Sequence, residues 1–291
     1  MTVECDSVVA IPVYNEARTI RGVLETARQY ACDLLVVDDG STDGTSELLD
    51  GEQEIHLIRH PQNAGYGKSL ADAFDFAIRR GYRYLITMDA DEQHDPVLIP
   101  AFLREIPDYD VISGSRYLDE LPDADPAPPE RRRINREICA VVREVCGLEL
   151  TDAFCGYKAY QTQALRHLDI TEFGYAMPLQ LWAQAAHLGF RIKEIPCHRI
   201  YKDLNRGFGG VLDDAEVRRR HYLETIEREV VRLHPPGEEA TCPCPVFQSF
   251  RTGKALKAVA DAVRIHRESA SENSSQCKGT NDAGSGSSGH R

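Results

Sequence analysis

Short apolar runs alternate with stretches of helical period along the first part of the chain. Val8-Val9-Ala10-Ile11, Leu34-Leu35-Val36-Val37, Ile55-His56-Leu57-Ile58, Tyr84-Leu85-Ile86-Thr87-Met88 and Val111-Ile112-Ser113 read as strands. Between them, a helix from about Glu16 to Tyr30 carries Ile20, Val23, Leu24 and Ala27 on one face, and a later one carries Leu70, Ala73, Phe74, Ala77 and Ile78. Ser41-Thr42-Asp43 offers caps for a short helix ending near Leu49, and Pro96 suits the first turn of another. Such alternation predicts an α/β fold: a mainly parallel sheet with helices on both faces.

On a sheet of this kind, ligands bind beyond the carboxyl ends of the strands. The conspicuous polar residues fall there: Asn15 and Glu16, Asp38 and Asp39, Asn63, and Asp89 and Asp91. One shared cleft is therefore expected. Further on, residues 119–130 are rich in Pro, Asp and Ala and read as a loop, followed by a helix from Arg131 to about Val145. Residues 150–212 mix short strands, turns and a helix near Pro178–Leu188, and residues 215–233 read as a helix. A Pro-rich linker over 234–245 leads to a basic amphipathic helix over 252–267, and the Ser/Gly/Asn-rich stretch 269–291 reads as disordered.

The chain of 291 residues has 42% hydrophobic and 27% charged residues, the balance of a globular protein. Its formal net charge of −12 argues against a nucleic-acid partner, which needs a basic face, while leaving room for a local phosphate site. No apolar run approaches the roughly 18–20 residues that span a bilayer. Nine cysteines, an odd count, sit mostly singly in apolar patterns, and with no signal-peptide pattern they suggest a cytoplasmic location. Cys242 and Cys244 form one tight pair without a second pair at zinc spacing.

The sharpest chemistry lies in Asp89-Ala90-Asp91-Glu92-Gln93-His94-Asp95-Pro96, between a strand and a helix. In an extended segment alternate side chains share a side, so Asp89, Asp91 and Gln93 would converge as hard oxygen ligands for Mg²⁺ or Mn²⁺. Read alone, the same acids serve equally as caps for the Pro96 helix, a task suited to Asp95. Asp38-Asp39-Gly40-Ser41 is likewise turn chemistry in its own right, Lys68 reads as either a phosphate ligand or a surface charge, and each Arg taken singly reads as a surface charge.

Taken together, Pro12-Val13-Tyr14-Asn15-Glu16, Asp38-Asp39-Gly40-Ser41-Thr42-Asp43, Asn63-Ala64-Gly65-Tyr66-Gly67-Lys68, Asp89-Ala90-Asp91-Glu92-Gln93-His94, Gly114-Ser115-Arg116 and Thr151-Asp152-Ala153-Phe154-Cys155-Gly156-Tyr157-Lys158 resemble, in that order, glycosyltransferase family 2. The last two look like its dolichol- and polyprenyl-phosphate mannosyltransferase branch. The resemblance covers roughly residues 6–212 and implies a GT-A fold with a C-terminal helical extension. It implies residues 1–114 as the nucleotide-sugar half, 115–212 as the acceptor half of the same domain, and 213–268 as C-terminal helices. Pro12, Tyr14, Glu16, Asp39, Lys68, Asp89, Ala90 and Asp91 would bind the nucleotide-sugar, with Asp89, Asp91 and Gln93 at the metal. Arg116, Arg131, Lys202 and Arg206 would bind an acceptor phosphate. Asp89, Asp91, Arg116 and Asp152 would form the catalytic set.

The resemblance implies inverting transfer of a hexosyl group from a UDP- or GDP-sugar. The expected acceptor is a polyprenyl phosphate, reached at the inner face of the membrane through peripheral contact. Many relatives carry an acid where Gln180 stands; an alcohol acceptor needs a general base and an anionic phosphate does not, so Gln180 favours the phosphate or else signals weakened activity. Transfer to a soluble hydroxyl, or a noncatalytic nucleotide-sugar-binding module, are the other readings.

Overall fold

The computed structural model describes residues 5–119, 121, 125–200 and 210–234. Seven strands form one sheet: β1 Ser7–Val13, β2 Asp33–Asp38, β3 His56–Arg59, β4 Tyr84–Thr87, β5 Val111–Ser115, β6 Lys158–Gln161 and β7 Ile192–Pro196, in the order β3-β2-β1-β4-β6-β5-β7. All pairings are parallel except those of β6, which runs antiparallel between β4 and β5. The helices are α1 Ile20–Ala27, α2 Thr45–Asp50, α3 Tyr66–Arg80, α4 Ile99–Glu105, α5 Pro129–Cys146, the single-turn α6 Thr162–Leu165, α7 Met177–His187 and α8 Ala215–Leu233.

The apolar strand runs are continuous because helices cover both faces of the sheet. Along β1, Val8 and Ala10 join the core under α3, α5, α7 and α8, while Val9, Ile11 and Val13 face the core under α1 and α4. The α/β expectation holds, and two of the short strands expected over 150–212 complete the sheet. Strands β6 and β7 come from residues beyond Ser115, so the two halves expected from the sequence share one sheet. The four-residue β6 carries no alternation long enough to announce itself.

Two details differ from the sequence reading. Helix α1 starts at Ile20 rather than near Glu16, because Glu16 N–H donates to Thr45 Oγ1 (2.9 Å) and Ala17 N–H to Asp43 Oδ2 (3.1 Å), tying this stretch to the loop after β2. Cys5 and Cys32 are not single core fillers: they form a disulfide, with Cα atoms 5.8 Å apart, where β1 and β2 begin side by side. The 252–267 helix, the Cys242–Cys244 pair, the 269–291 tail, Lys202 and Arg206 lie outside the described residues.

Candidate active site at the strand ends

Strands β1, β2 and β4 deliver their carboxyl ends to one edge of the sheet, and two loops there are stapled together. Asn15, in the left-handed region at φ 59°, donates through its N–H to Ser41 Oγ (3.0 Å) and accepts from Thr42 N–H (2.8 Å). Asp38 is wholly buried beneath them and accepts from Ser41 N–H (3.0 Å), Ser46 Oγ–H (2.5 Å) and Arg59 Nε–H (3.1 Å). Burial pushes its carboxyl pKa upward, but these bonds outweigh it and hold the group below the ordinary carboxylate range. Asp38 is thus the brace of the loop. Above it, Tyr14 stays 44% exposed, with Pro12 and Glu16 half-buried.

Asp39 joins this edge to α3. Its Oδ1 accepts from Ala64 N–H (2.8 Å) and lies 2.6 Å from His60 Nδ1, and its Oδ2 accepts from Gly65 N–H (2.9 Å). A carboxylate has about four lone-pair sites, so Asp39 keeps room for one more donor. His60 continues through Nε2 to Asp72 (2.8 Å), which also pairs with Lys68. Lys68 therefore stands in the first turn of α3, where the helix dipole favours anions, with its charge shared by Asp72. Gly65 is at φ 105°, and a Cβ there would lie 2.2 Å from Phe173 O. Glycine is required where the 171–175 loop docks against α3.

After β4 the chain does not continue extended, as the sequence reading supposed. Glu92 is at φ 60° and turns it back. Asp89 N–H donates to His94 Nδ1 (2.9 Å), and Gln93 N–H donates to Asp91 Oδ1 (3.1 Å). Asp95 caps the following turn through Val97 N–H (3.0 Å), as its position before Pro96 suggested. Tyr66 Oη–H donates to Asp89 Oδ1 (3.2 Å), and the Tyr66 ring stacks on Tyr175 at 6.0 Å. Burial raises the Asp89 pKa; the opposing pull of His94 is offset in part by the nearby charge of Asp91.

A turn, not alternation, therefore brings the two acids together. Among the described residues no cluster of three His, Cys, Asp or Glu side chains forms a ready metal cage. The two neighbouring carboxylates, Asp89 and Asp91, nevertheless supply hard oxygen donors. That set fits Mg²⁺ or Mn²⁺, which leave several positions to water and diphosphate oxygens.

Gly156 lies directly against Asp89 and Tyr66. A Cβ there would lie 2.7 Å from both Asp89 Oδ2 and Tyr66 Oη. Gly156→Ala is expected to displace Asp89 and weaken nucleotide binding at least about tenfold while leaving secondary structure intact. Calorimetric nucleotide titration beside circular dichroism checks this. Tyr66, His94 and Gly156 carried no assigned role in the sequence reading, although each stands inside a quoted motif.

On the other side, Arg116 follows β5 and clamps Asp152 in two prongs: Nε–H to Oδ2 (2.6 Å) and Nη2–H to Oδ1 (2.9 Å). Asp152 is wholly buried and also accepts from Phe154 N–H (3.1 Å). Burial raises its pKa, but the Arg116 charge and these bonds win, holding it below the usual range. A carboxylate so held is a weak base, and its bonds fix Arg116 in place. Glu194 on β7 secures the same loop, accepting from Thr151 N–H (2.8 Å), Thr151 Oγ1–H (2.8 Å) and Asp152 N–H (3.0 Å). Trp182 of α7 donates to Ala153 O (2.9 Å). Arg131 stands half-buried in the first turn of α5.

Gln180 does not stand among these groups as a missing acid. It is 2% exposed, its Oε1 accepts from Thr171 and Glu172 N–H (both 2.8 Å), and its Nε2 donates to Thr171 Oγ1 and Glu229 Oε2 (both 2.8 Å). It ties the 171–175 loop to α8. Gln180→Glu would set a second buried carboxylate against Glu229. The expected result is a loss of about 2–3 kcal/mol of stability with no gain in transfer, checked by denaturant melts and assay.

The comparisons with known proteins agree with this geometry. Residues 8–169 match the family model described as glycosyl transferase family 2. An undecaprenyl-phosphate mannosyltransferase of Micrococcus luteus is 31% identical over 71% of this chain and 89% of its own. A polyprenol monophosphomannose synthase of Mycolicibacterium smegmatis is 31% identical over 65% of this chain and 76% of its own. Among solved structures, glucosyl-3-phosphoglycerate synthase from Mycobacterium tuberculosis, in complex with Mn²⁺, UDP and glucosyl-3-phosphoglycerate, aligns over 78% of this chain and 80% of its own, with a TM-score of 0.57 at 18% identity. That likeness supports the fold, GT-A. With the family model spanning more than half of the chain and the motifs after β1, β2 and β4 gathered at one edge of the sheet, the chain belongs to glycosyl transferase family 2 and is a glycosyltransferase.

Proposed function

We propose that the enzyme transfers a hexosyl group, with inversion, from a UDP- or GDP-sugar to a polyprenyl phosphate at the cytoplasmic face of a membrane. Residues up to 114 form the donor half and residues 115–212 the acceptor half. Pro12, Tyr14 and Glu16 line the base and ribose pocket, and Asp39 uses its remaining acceptor site for a base N–H. Lys68 and the first turn of α3 face the diphosphate. Asp89, Asp91 and Gln93 hold Mg²⁺ or Mn²⁺, which when bound neutralises charge on the diphosphate.

One observation carries the choice of acceptor. Two carboxylates built into the acceptor side, Asp152 and Glu194, are taken up by Arg116 and by the Thr151–Asp152 backbone, while Arg116 is held rigid. Such a site orients an acceptor that is already an anion, and Asp152, held below the usual carboxylate range by Arg116, offers little basicity to an alcohol. A phosphate oxygen of the acceptor attacks the anomeric carbon. The new C–O bond forms as the bond to the diphosphate breaks, and the nucleoside diphosphate leaves on the opposite face. Arg116 and Arg131 orient the attacking phosphate, with Lys202 and Arg206 proposed to join them. The two relatives named for polyprenyl and undecaprenyl phosphate transfer support the same acceptor class. Among the described residues no helix is long and apolar enough to cross a membrane; the contact with the lipid is proposed to be peripheral.

Incubation with labelled GDP-mannose or UDP-glucose, a divalent ion and undecaprenyl phosphate tests the reading. Label is expected in a butanol-soluble product that mild acid releases. Label appearing only in water-soluble glycosides would assign a hydroxyl acceptor. Nucleotide binding without turnover or hydrolysis across a donor panel would assign a noncatalytic module.

A further inference from the structure

The charges along α5 are handled differently on its two sides. Toward α8 they are paired: Glu130 with Arg218, Arg133 with Glu216 (2.9 Å) and Glu137 with Arg219 (2.8 Å). On another face, Arg132 and Arg136 stand one turn apart, both exposed, and among the described residues their side chains enter no hydrogen bond or ion pair. Arg143, further along, reaches Glu149 only at 3.9 Å, with both side chains exposed. The three arginines line one cavity of about 320 Å³ with Tyr117, Asn135 and Thr151, and Glu149 also borders it.

Like charges one turn apart destabilise a helix, and a chain of net charge −12 has acids to spare for neutralising them. Leaving Arg132 and Arg136 uncompensated in this groove, with Glu149 reaching only Arg143, suits an external anion, and guanidinium groups match phosphate oxygens in two-pronged geometry. The position of the groove indicates where that phosphate comes from. Tyr117 and Thr151 adjoin Arg116 and Asp152 in sequence, so the groove opens beside the acceptor side.

We propose that this groove binds the phosphate headgroups of anionic membrane lipids and seats the acceptor side on the bilayer surface. The orientation rests on the polyprenyl-phosphate reading, but binding is independent of turnover.

The test is flotation of the full chain with vesicles of phosphatidylcholine alone, or with one third phosphatidylglycerol. Wild-type protein is expected to float with the anionic vesicles only, and less so as NaCl rises. Each basic residue at an anionic surface is worth about fivefold in binding, so Arg136→Gln alone loses about fivefold and the Arg132→Gln, Arg136→Gln, Arg143→Gln variant roughly 100-fold. With a water-soluble short-chain acceptor, the triple variant keeps wild-type activity. Asp91→Asn floats as wild type does, so a failure of the transfer reading would leave this result standing. A triple variant that floats as well as wild type would overturn the proposal and move membrane contact to another segment. So would a wild type that floats with neither vesicle. If inorganic phosphate then stabilised wild type but not the triple variant, the groove would be a free-phosphate site instead.

Discussion

Asp91→Asn is expected to lower the rate of sugar transfer by about 10³-fold while leaving the fold intact. The size follows from the charge that must be neutralised as the diphosphate departs, a contribution of several kcal/mol in metal-assisted and preorganised sites. The intact fold follows from the position of Asp91. It lies half-buried on the turn after β4 and accepts from Gln93 N–H, a bond that an Asn oxygen also accepts. Asp89→Asn is expected to cost as much in transfer but to disturb more of the site, because Asp89 also accepts from Tyr66. Steady-state rates at saturating Mn²⁺, with melting curves alongside, check both. An Asp91→Asn enzyme with near-normal rates would remove that residue from the metal set.

The second large effect concerns the Arg116–Asp152 pair. Arg116→Ala leaves Asp152, wholly buried, without its counter-charge. Breaking a buried pair by removing one partner typically costs about 3–5 kcal/mol, because the remaining charge stays desolvated. The pH dependence has a definite sign. The folded Asp152 pKa is lowered, so in the wild type its contribution to stability is present above the ordinary Asp value and is lost as pH falls through the folded value. In Arg116→Ala the same carboxyl is held in a buried site without that cation, and acid relieves the penalty. The stability gap between variant and wild type is therefore widest near neutral pH and narrows toward pH ~4. Urea melts across pH check this. A gap that stays constant with pH would show that the charge on Asp152 is not what the guanidinium supports. Transfer to a phosphate acceptor should fall through KM for the acceptor as well as kcat, because Arg116 both binds and orients.

Much of the donor side could be read from the chain. Fully covered strands must be apolar on both faces, so Val8-Val9-Ala10-Ile11, Leu34-Leu35-Val36-Val37 and Tyr84-Leu85-Ile86-Thr87 announced themselves, and the carboxyl ends of the second and fourth strands located Asp38 and Asp39, and Asp89 and Asp91. The acceptor side was harder because its contacts are long-range. Arg116 and Asp152 meet across a separation of 36 residues, and Gln180 and Glu229 across 49. No local period links such partners. Gln180 shows the consequence: in the sequence it stands where an acid is expected, and in the fold its four bonds hold a loop to a helix. The phosphate acceptor is better supported by the occupied Asp152 than by the missing acid. The turn at Glu92 was hidden for a local reason, since a left-handed residue other than Gly or Asn has no strong signature.

The site at the strand ends is tested most directly by thermal melts of wild type and Asp91→Asn with UDP, GDP and CDP, each with and without Mn²⁺. One nucleotide, UDP or GDP, is expected to raise the wild-type Tm by about 5 °C or more at saturating ligand. That rise should require Mn²⁺ and disappear in Asp91→Asn. A nucleotide shift indifferent to both Mn²⁺ and the substitution, or no shift with any nucleotide, would contradict a metal-supported nucleotide-sugar site centred on Asp89 and Asp91.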